Sequence, residues 1–479
     1  MSDTTPKFAV KSVVVSERPV TLRLPFKFGN TAVTRTAQVF AEVLLESASG
    51  RRVTGYSAQL MVPRWFNKAV YLSNDDTVDE LRGSVRTAAR EVSAARPGTI
   101  ADLASDCRAR SVLETTVAGS PRLAAGFGPA LIEMALIDAA CRHSDLPVDR
   151  AFNIDLFGLA AHCPDDLAPD ILAQRLKSAR VPDSMFLRHT VGQDAPLLES
   201  DLGPGAPADG LPVALETVIA RQGVRYFKIK LNGDVEADVD RLVRLAGFLE
   251  ERSPGFRATL DANEQYSVDG FAAFTERLQG KPELKGMAAA MLFVEQPFAR
   301  DTALSDPLIP DLLKSLNVPV IIDESDDGDD VLPKALGLGY AGTSVKSCKG
   351  VFRALLNAAR IDQVRAKGGT GFLSAEDLTC QPGLCVQQDL AMAGLCGATH
   401  AERNGHYFVA GMQGAAPAEV AAYLERHRDL YTPLGADDAT LRVIDGAVSL
   451  SSLRTPGFST SVLADLANNN KLSVQERLQ

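Results

Sequence analysis

Residues 226–263 carry the sequence YFKIKLNGDVEADVDRLVRLAGFLEERSPGFRATLDAN, and this stretch decides the fold. Tyr226 to Leu231 is a short apolar run interrupted by two lysines, which predicts a strand. A helix follows, because apolar residues then recur at helical spacing, at Val239, Leu242, Val243, Ala246 and Leu249. Ala258 to Leu260 predicts the next strand. Two strands joined by a helix in this way indicate a parallel βαβ unit.

The same alternation of short apolar runs and amphipathic helices extends to both sides of this unit. The predicted strands are His189–Val191, Tyr226–Leu231, Ala258–Leu260, Met291–Val294, Val318–Ile322, Gly342–Val345, Gly371–Ser374 and Gly397–Ala401. Eight such units are the number that closes a (β/α)8 barrel. The expected fold class is therefore α/β, a TIM-type barrel in regular or modified form, over residues 184–404.

The residues outside the barrel predict a second, α+β domain. Alternating apolar residues at 39–46 indicate antiparallel strands, and the segment from Pro129 to Cys141 has helical periodicity. Leu441 to Val448 predicts a hairpin that could rejoin the N-terminal part. We therefore divide the chain into an N-terminal α+β domain (1–183), the barrel (184–404) and a C-terminal segment (405–479) that returns to the first domain.

Composition narrows the classes of function. The 479 residues are 46% hydrophobic and 23% charged, as in globular proteins, and the formal net charge of −10 argues against a nucleic-acid partner. We expect no secretory signal, and no membrane partner because no run of about 18 or more apolar residues occurs. The seven cysteines form no C-x-x-C pair, which favours free thiols in the cytoplasm over a zinc site.

Polar residues end the predicted strands, where a barrel carries its active site. Lys228 and Lys230 share one face of the second strand, because side chains alternate along a strand. The next strands end in Asp261 (with Asn263 on the same face), Glu295, Asp323 and Lys346. Three carboxylates that converge need a cation, and hard oxygen ligands suit Mg²⁺.

This set of residues predicts the removal of a proton next to a substrate carboxylate. The enediolate that remains carries two negative charges, which Mg²⁺ neutralises as they develop. A lysine must be neutral to act as the base, and a second cation nearby favours its neutral form. We hypothesise that Lys230 is the base and that Lys228 holds a substrate carboxylate oxygen.

At these motifs the chain resembles the enolase superfamily, within it the mandelate racemase/muconate lactonizing enzyme family and its muconate-lactonizing-enzyme-like, two-lysine subgroup. The matching segments are Phe227–Leu231, Leu260–Asn263, Phe293–Pro297, Ile322–Ser325 and Ser344–Lys346. The resemblance implies that Asp261, Glu295 and Asp323 are metal ligands. It also implies that Lys230 and Lys346 are opposed acid/base lysines.

The resemblance further implies that the first and last segments form a capping domain. Its loops near Phe26–Asn30 and Arg64–Lys68 would close the pocket and select the substrate. Trp65 and Phe66 in the second loop would belong either to a lid or to the core of this domain, and we place at least one of them in the core. Related barrels often assemble, so a homo-oligomer is expected.

Several residues keep alternative interpretations. Asn263, His400 and Glu402 are candidate substrate contacts, although His400 and Glu402 would equally well satisfy each other. Glu324 is either a second carboxylate that orients a ligand or lysine, or a helix cap. We expect Lys349 to be solvated or to start a helix, outside catalysis.

The leading hypothesis is thus a Mg²⁺-dependent isomerase or lyase acting on a small-molecule carboxylate by racemization, epimerization or cycloisomerization. Dipeptide epimerases resemble D-x-D on the last strand, and His400-Ala401-Glu402 weakens a dipeptide substrate here. Sugar-acid dehydration on the same scaffold is an alternative, and a non-catalytic carboxylate-binding barrel is another. Gly337–Gly342 matches G-x-G-x-x-G but precedes a strand, so it predicts no NAD site.

Overall fold

The computed structural model describes residues 5–29 and 31–473, and its N-terminal part is a sheet covered by helices. Three long antiparallel strands form the sheet: β1 (Phe8–Phe28), β2 (Thr31–Ser47) and β3 (Arg52–Leu60). The helices that follow are α1 (Asn74–Ser93), α2 (Ile100–Val117), α3 (Arg122–Ala125), α4 (Phe127–Ser144), α5 (Val148–Asn153) and α6 (Pro169–Ser178).

Helix α4 is the core of this part. Every residue from Phe127 to Cys141 is buried, and the helix packs so closely on β3 that a Cβ added at Gly55 would lie 2.1 Å from the carbonyl oxygen of Ala135. Among the described residues, the helical stretch Arg122–Ser144 is long and apolar enough to cross a membrane, by length and composition alone, with a mean hydropathy of 1.5. Because it is wholly buried in the protein, we interpret it as a core helix.

Eight parallel strands form a closed barrel, since the last strand pairs with the first. In chain order the elements are β4 (Ser184–Val191), α7 (Leu215–Gln222), β5 (Tyr226–Lys230), α8 (Val235–Arg252), β6 (Arg257–Asp261), α9 (Val268–Gly280), α10 (Lys285–Ala290), β7 (Met291–Glu295), α11 (Ile309–Ser315), β8 (Val320–Ile322), α12 (Val331–Leu338), β9 (Gly342–Val345), α13 (Val351–Ala366), β10 (Phe372–Ala375), α14 (Leu384–Leu395), β11 (His400–Glu402) and α15 (Gly405–Phe408). The predicted fold class, a TIM-type barrel with a separate capping domain, is confirmed.

Two barrel strands differ from the prediction by more than two residues at their starts, and the first of them begins at Ser184 instead of His189. The eighth strand begins at His400 instead of Gly397, because Gly397 has a φ of +82° and belongs to the turn after α14. Short 3-10 helices also occur, at Leu159–His162, Glu199–Asp201, Pro282–Leu284, Ser347–Lys349 and Ser451–Leu453.

The C-terminal segment contains α16 (Pro417–Arg426), β12 (Tyr431–Leu434), β13 (Asp438–Leu441), β14 (Ala447–Ser449) and β15 (Asn470–Lys471). The turn predicted within Leu441–Val448 is present, because the backbones of Ile444 and Ala447 form an antiparallel bridge around Asp445 and Gly446. A longer hairpin is formed earlier, by β12 and β13. The expected return of Leu441–Val448 to the N-terminal part is wrong. Strand β14 instead pairs antiparallel with Ser184–Phe186, the part of β4 that β5 leaves unpaired. Strand β15 pairs with β1 of the N-terminal sheet.

A buried carboxylate connects the N-terminal helices with the barrel. Glu133 of α4 accepts hydrogen bonds from the backbone N–H groups of Val351 and Phe352, the first residues of α13. These N–H groups have no partner within their own helix, so the carboxylate caps the helix. The N-terminal helices and the barrel therefore share a buried polar contact at the N-terminus of α13.

Candidate active site

The register of the barrel strands brings the predicted site residues to one end of the barrel. Lys230 pairs with Asp261 across β5 and β6, and Asp261 pairs with Glu295 across β6 and β7. Asp323 and Lys346 directly follow β8 and β9. Because parallel strands end at the same rim, all five side chains lie at the carboxyl ends of the strands.

Lys228 lies at the centre of the carboxylates. Its Nζ atom is 2.9 Å from Asp261 Oδ2 and 3.0 Å from Glu295 Oε2, and it also contacts Glu376 Oε2 at 2.7 Å and Glu402 Oε2 at 3.0 Å. Burial alone would lower the pKa of this lysine, but the surrounding carboxylates raise the pKa well above its ordinary value. Lys228 is therefore a fixed cation in the site.

Lys230 has fewer partners. Its Nζ atom donates to Asp261 Oδ2 at 2.6 Å and to Asn263 Oδ1 at 2.8 Å. Asn263 in turn donates from Nδ2 to Glu324 Oε1 at 3.1 Å. The predicted base and the predicted substrate contact Asn263 are thus direct neighbours, and Glu324 orients Asn263.

Lys346 lies across the site from Lys230. Its Nζ atom is 2.9 Å from Asp323 Oδ1 and 2.7 Å from Glu376 Oε2. Burial opposes the charged form, but Asp323 and Glu376 raise the pKa of Lys346 well above its ordinary value. Conversely, burial would raise the pKa of Asp323, while Lys346 and Lys349 hold it below its ordinary value.

The expectation that Lys349 is solvated or merely starts a helix is wrong. The 3-10 turn Ser347–Lys349 folds the chain back, and Lys349 is buried with its Nζ atom 2.9 Å from Asp323 Oδ1. It also donates to the backbone oxygen of Asp323 at 2.7 Å. Asp323 is therefore held by two lysines, and Lys349 is a contact residue of the site.

Glu376, which the sequence analysis did not select, is central to the site. It follows β10, and its Oε2 atom accepts from Lys228 and Lys346, each at 2.7 Å. Its other oxygen accepts at 2.9 Å from Arg188, a fully buried side chain inside the barrel. The rule that polar residues end the barrel strands would have found Glu376 if it had been applied to the seventh strand.

The acidic residues fit a metal ion. Among the described residues, carboxylate oxygens of Glu295, Asp323 and Glu376 all lie within 4.8 Å of one another. Burial raises the pKa of Glu295 well above its ordinary value, and the neighbouring Asp261 and Glu376 raise it further. Such crowding of hard, like-charged ligands is what a divalent cation relieves. Asp261 stands beside this group, with its carboxylate between Lys228 and Lys230.

The last strand contributes one of its two candidate residues to the pocket. Glu402 accepts from Thr190 and from Asn404 Nδ2 and contacts Lys228. His400 contacts neither Glu402 nor the pocket wall. Its Nδ1 atom is 2.8 Å from Arg188, and its ring stacks on Tyr226 at 4.5 Å.

The loops of the N-terminal domain cover the strand ends. A narrow pocket lies between these loops and the strand ends. On the side of the N-terminal domain it is lined by Phe26, Phe28, Val62 and Trp65, and on the side of the barrel by Lys228, Lys230, Lys346, Asp261, Asn263, Asp323, Asp377, Leu378 and Glu402. Asn30, the last residue of the first predicted loop, lies outside the described residues. Trp65 faces the site, with Lys346 Nζ 5.2 Å from its ring centre, whereas Phe66 packs on Phe127 in the core.

Solved structures with this architecture span nearly the whole chain. A muconate lactonizing enzyme from Pseudomonas fluorescens, in complex with muconolactone, superposes with a TM-score of 0.59 at 18% identity, covering 96% of this chain and 98% of that chain. The chain has the fold of the mandelate racemase and muconate lactonizing proteins.

Two solved structures of epimerases superpose on this chain about as well as the muconate lactonizing enzyme does. A dipeptide epimerase from Cytophaga hutchinsonii, in complex with Mg and D-Ala-L-Val, has a TM-score of 0.58 at 15% identity and covers 97% of this chain and 99% of its own. The L-Ala-D/L-Glu epimerase from Bacillus subtilis has a TM-score of 0.58 at 15% identity, with 96% and 100% covered. No protein-family model matches the chain, and no curated protein does.

Proposed function

We propose that the protein is a Mg²⁺-dependent enzyme that removes the proton next to a substrate carboxylate, with Lys230 and Lys346 as the acid/base pair. The observation that carries this proposal is the position of the two lysines. They end the second and sixth barrel strands and flank the carboxylates that end the strands between them. A substrate carbon held between them would have one lysine on each face.

Glu295, Asp323 and Asp261 would hold the metal ion, with Glu376 as a further ligand or as the carboxylate that orients Lys346. When bound, Mg²⁺ would neutralise the negative charge that develops on the substrate carboxylate. Lys228, which is fixed by its carboxylate partners, would hold a substrate carboxylate oxygen. The chain thus supplies both the ligands and an additional cation for an anionic reaction centre.

The surroundings of the two lysines support different roles. Lys346 has two carboxylate partners, Asp323 at 2.9 Å and Glu376 at 2.7 Å, which favour its protonated form, and we assign it the role of acid. Lys230 has one carboxylate partner and one amide partner, and we assign it the role of base. Removal by Lys230 and return from Lys346 would invert the configuration of the carbon.

Racemization or epimerization is therefore the reaction that the arrangement supports best. Cycloisomerization would need only one of the two lysines for proton transfer. The pocket wall is apolar on the side of the N-terminal domain, from Phe26, Phe28, Val62 and Trp65. We infer a small carboxylate with a compact apolar portion as the substrate class.

The decisive test is a Mg²⁺-dependent screen of amino-acid derivatives, aromatic hydroxy acids and acid sugars in D₂O. Deuterium at the carbon next to the carboxylate, with inverted configuration, is the result expected. A keto acid formed with loss of water would instead identify a dehydratase. Binding of these acids without any deuterium exchange would replace the proposal by a non-catalytic carboxylate-binding protein.

A further inference from the structure

Arg300 is one of the residues that attach the loop carrying Trp65 to the barrel. Arg300 lies in the segment after β7 and donates from Nη1 to the backbone oxygen of Phe66 at 2.9 Å and from Nη2 to that of Trp65 at 3.1 Å. Two donors of one rigid guanidinium thus hold two successive carbonyl groups of the loop. Arg300 therefore contacts the backbone at Trp65 itself.

Arg300 is itself fixed by a carboxylate on the rim of the barrel. Glu264 accepts from Arg300 Nε at 2.8 Å and from Nη2 at 2.9 Å, and its side chain is only 7% exposed. Lys68, at the end of the loop, contacts the same Glu264 and lies 3.4 Å from Glu324 Oε1. We call Lys68, Glu264, Arg300 and Glu324 the latch.

The latch also holds a strained turn. Asn263 and Glu264, which follow β6, have φ angles of +43° and +71°, a left-handed conformation that side chains other than glycine rarely adopt. Lys68 Nζ donates to the backbone oxygen of Asn263 at 3.0 Å. Two residues in this conformation persist only when their surroundings fix them. Here Lys68 acts together with contacts inside the barrel, since Glu264 N donates to the backbone oxygen of Gln296 at 2.8 Å and Gln265 Nε2 donates to that of Asn263 at 3.1 Å.

The strained turn ends at the predicted base. The side chain of Asn263 accepts from Lys230 Nζ at 2.8 Å and donates to Glu324 Oε1 at 3.1 Å, and it is buried. A continuous chain of polar contacts therefore connects Lys68 through Asn263 to Lys230.

We propose that Lys68 is a positioning residue for Lys230. Seating of the loop Met61–Lys68 engages the latch, fixes Asn263 and thereby places the Lys230 amine against the substrate carbon. The proposal rests on the proposed function in so far as Lys230 acts as the base, but its structural part does not. Lys68→Met removes the charge at similar length, and Lys68→Arg retains it.

The test uses two readouts that need no turnover. Trp65 is the single tryptophan of the sequence, so acrylamide quenching of its fluorescence reports whether the loop is seated. The extent of trace acylation of the Lys230 amine, measured by mass spectrometry, reports whether the contacts of this amine have changed. The control is Lys281→Met, which removes a partly exposed lysine 3.2 Å from Asp240.

We expect Lys68→Met to raise the quenching of Trp65 at least about twofold, as local opening exposes the ring. The acylation of Lys230 should change with it. With a substrate in hand, kcat should fall on the order of tenfold to a hundredfold with a smaller change in KM, because misplacing a reacting group acts on the chemical step. Lys68→Arg should return the quenching of Trp65, the acylation of Lys230 and kcat most of the way to the wild-type values.

Unchanged Lys230 acylation and kcat in Lys68→Met, equal to those of Lys281→Met, would overturn the proposal. If Lys68→Met does not fold, Arg300→Lys carries the same comparison, since a lysine cannot hold both loop carbonyls and Glu264. Loss of folding in both variants would assign the latch a purely structural role and also overturn it. Absence of turnover in the wild-type protein would overturn the proposed function, while quenching and acylation would still decide about the latch.

Discussion

Lys346 Nζ lies 2.7 Å from Glu376 Oε2, and the two side chains are buried. The same carboxylate oxygen also contacts Lys228 at 2.7 Å, so Glu376 joins Lys228, within the second barrel strand, to Lys346, which follows the sixth. Arg188 inside the barrel fixes the other oxygen of Glu376. One carboxylate therefore links Lys228 and Lys346 to the candidate metal ligands.

Replacement of this carboxylate tests its part in metal binding. Glu376→Gln keeps the size of the side chain but removes a negative charge from the acidic group. We expect Mg²⁺ affinity, measured by calorimetric titration, to fall on the order of tenfold to a hundredfold. Glu425→Gln, at an exposed position of α16, is the control and should bind Mg²⁺ like the wild type. Equal affinity in both variants would remove Glu376 from the metal site.

The two lysines should differ in the face of the substrate that they serve. In D₂O, Lys230→Met should abolish hydrogen–deuterium exchange at the carbon next to the carboxylate for one configuration of the substrate. Lys346→Met should abolish this exchange for the other configuration. Each loss should be on the order of 10²- to 10⁴-fold, the usual contribution of a general acid or base. Nuclear magnetic resonance of recovered substrate measures the exchange. Loss of exchange for the same configuration in both variants would contradict opposed faces.

A pair of glycines tests the packing of the N-terminal domain. Gly55→Ala would place a Cβ 2.1 Å from Ala135 O and 2.3 Å from Ala139 N, so β3 and α4 must separate. We expect the free energy of unfolding in urea to fall by roughly 1–3 kcal/mol or more. Gly83→Ala in α1 meets no described atom within 4 Å and should stabilise the protein by about 0.5–1 kcal/mol. Similar effects of the two changes would contradict the close approach.

Acid should destabilise the protein through His427. Burial lowers the pKa of this histidine from 6.5 to about 4, and its Nδ1 atom is 3.0 Å from Ser452 Oγ. Because the unfolded chain binds a proton at higher pH than the folded chain, stability is full above pH 6.5 and is lost as the pH falls towards 4. The free energy of unfolding in urea should decrease from pH 7 to pH 5 in both proteins. The decrease should be smaller in His427→Gln than in the wild type, by up to about 2 kcal/mol. An unchanged pH dependence would contradict a neutral, buried His427.

The sequence predicted the barrel because its strands and helices have distinct periodicities, and it predicted the site because strand ends are visible as polar residues after apolar runs. It did not predict the burial of Lys349, since periodicity carries no information about the turn at 347–349 that directs this lysine onto Asp323. His400 shares a face with Glu402 but lies one layer deeper, where Arg188 meets it. Depth along the barrel axis depends on strand stagger, which alternation does not encode.

The contact of Glu133 with the first turn of α13 has a consequence for dissecting the molecule. A barrel excised without α4 would expose the N–H groups of Val351 and Phe352 and lose the apolar surface that the helix buries. We therefore expect the two parts to melt in one cooperative transition. A chimera that grafts a foreign N-terminal domain onto this barrel would need a carboxylate at the position of Glu133 to inherit that cooperativity.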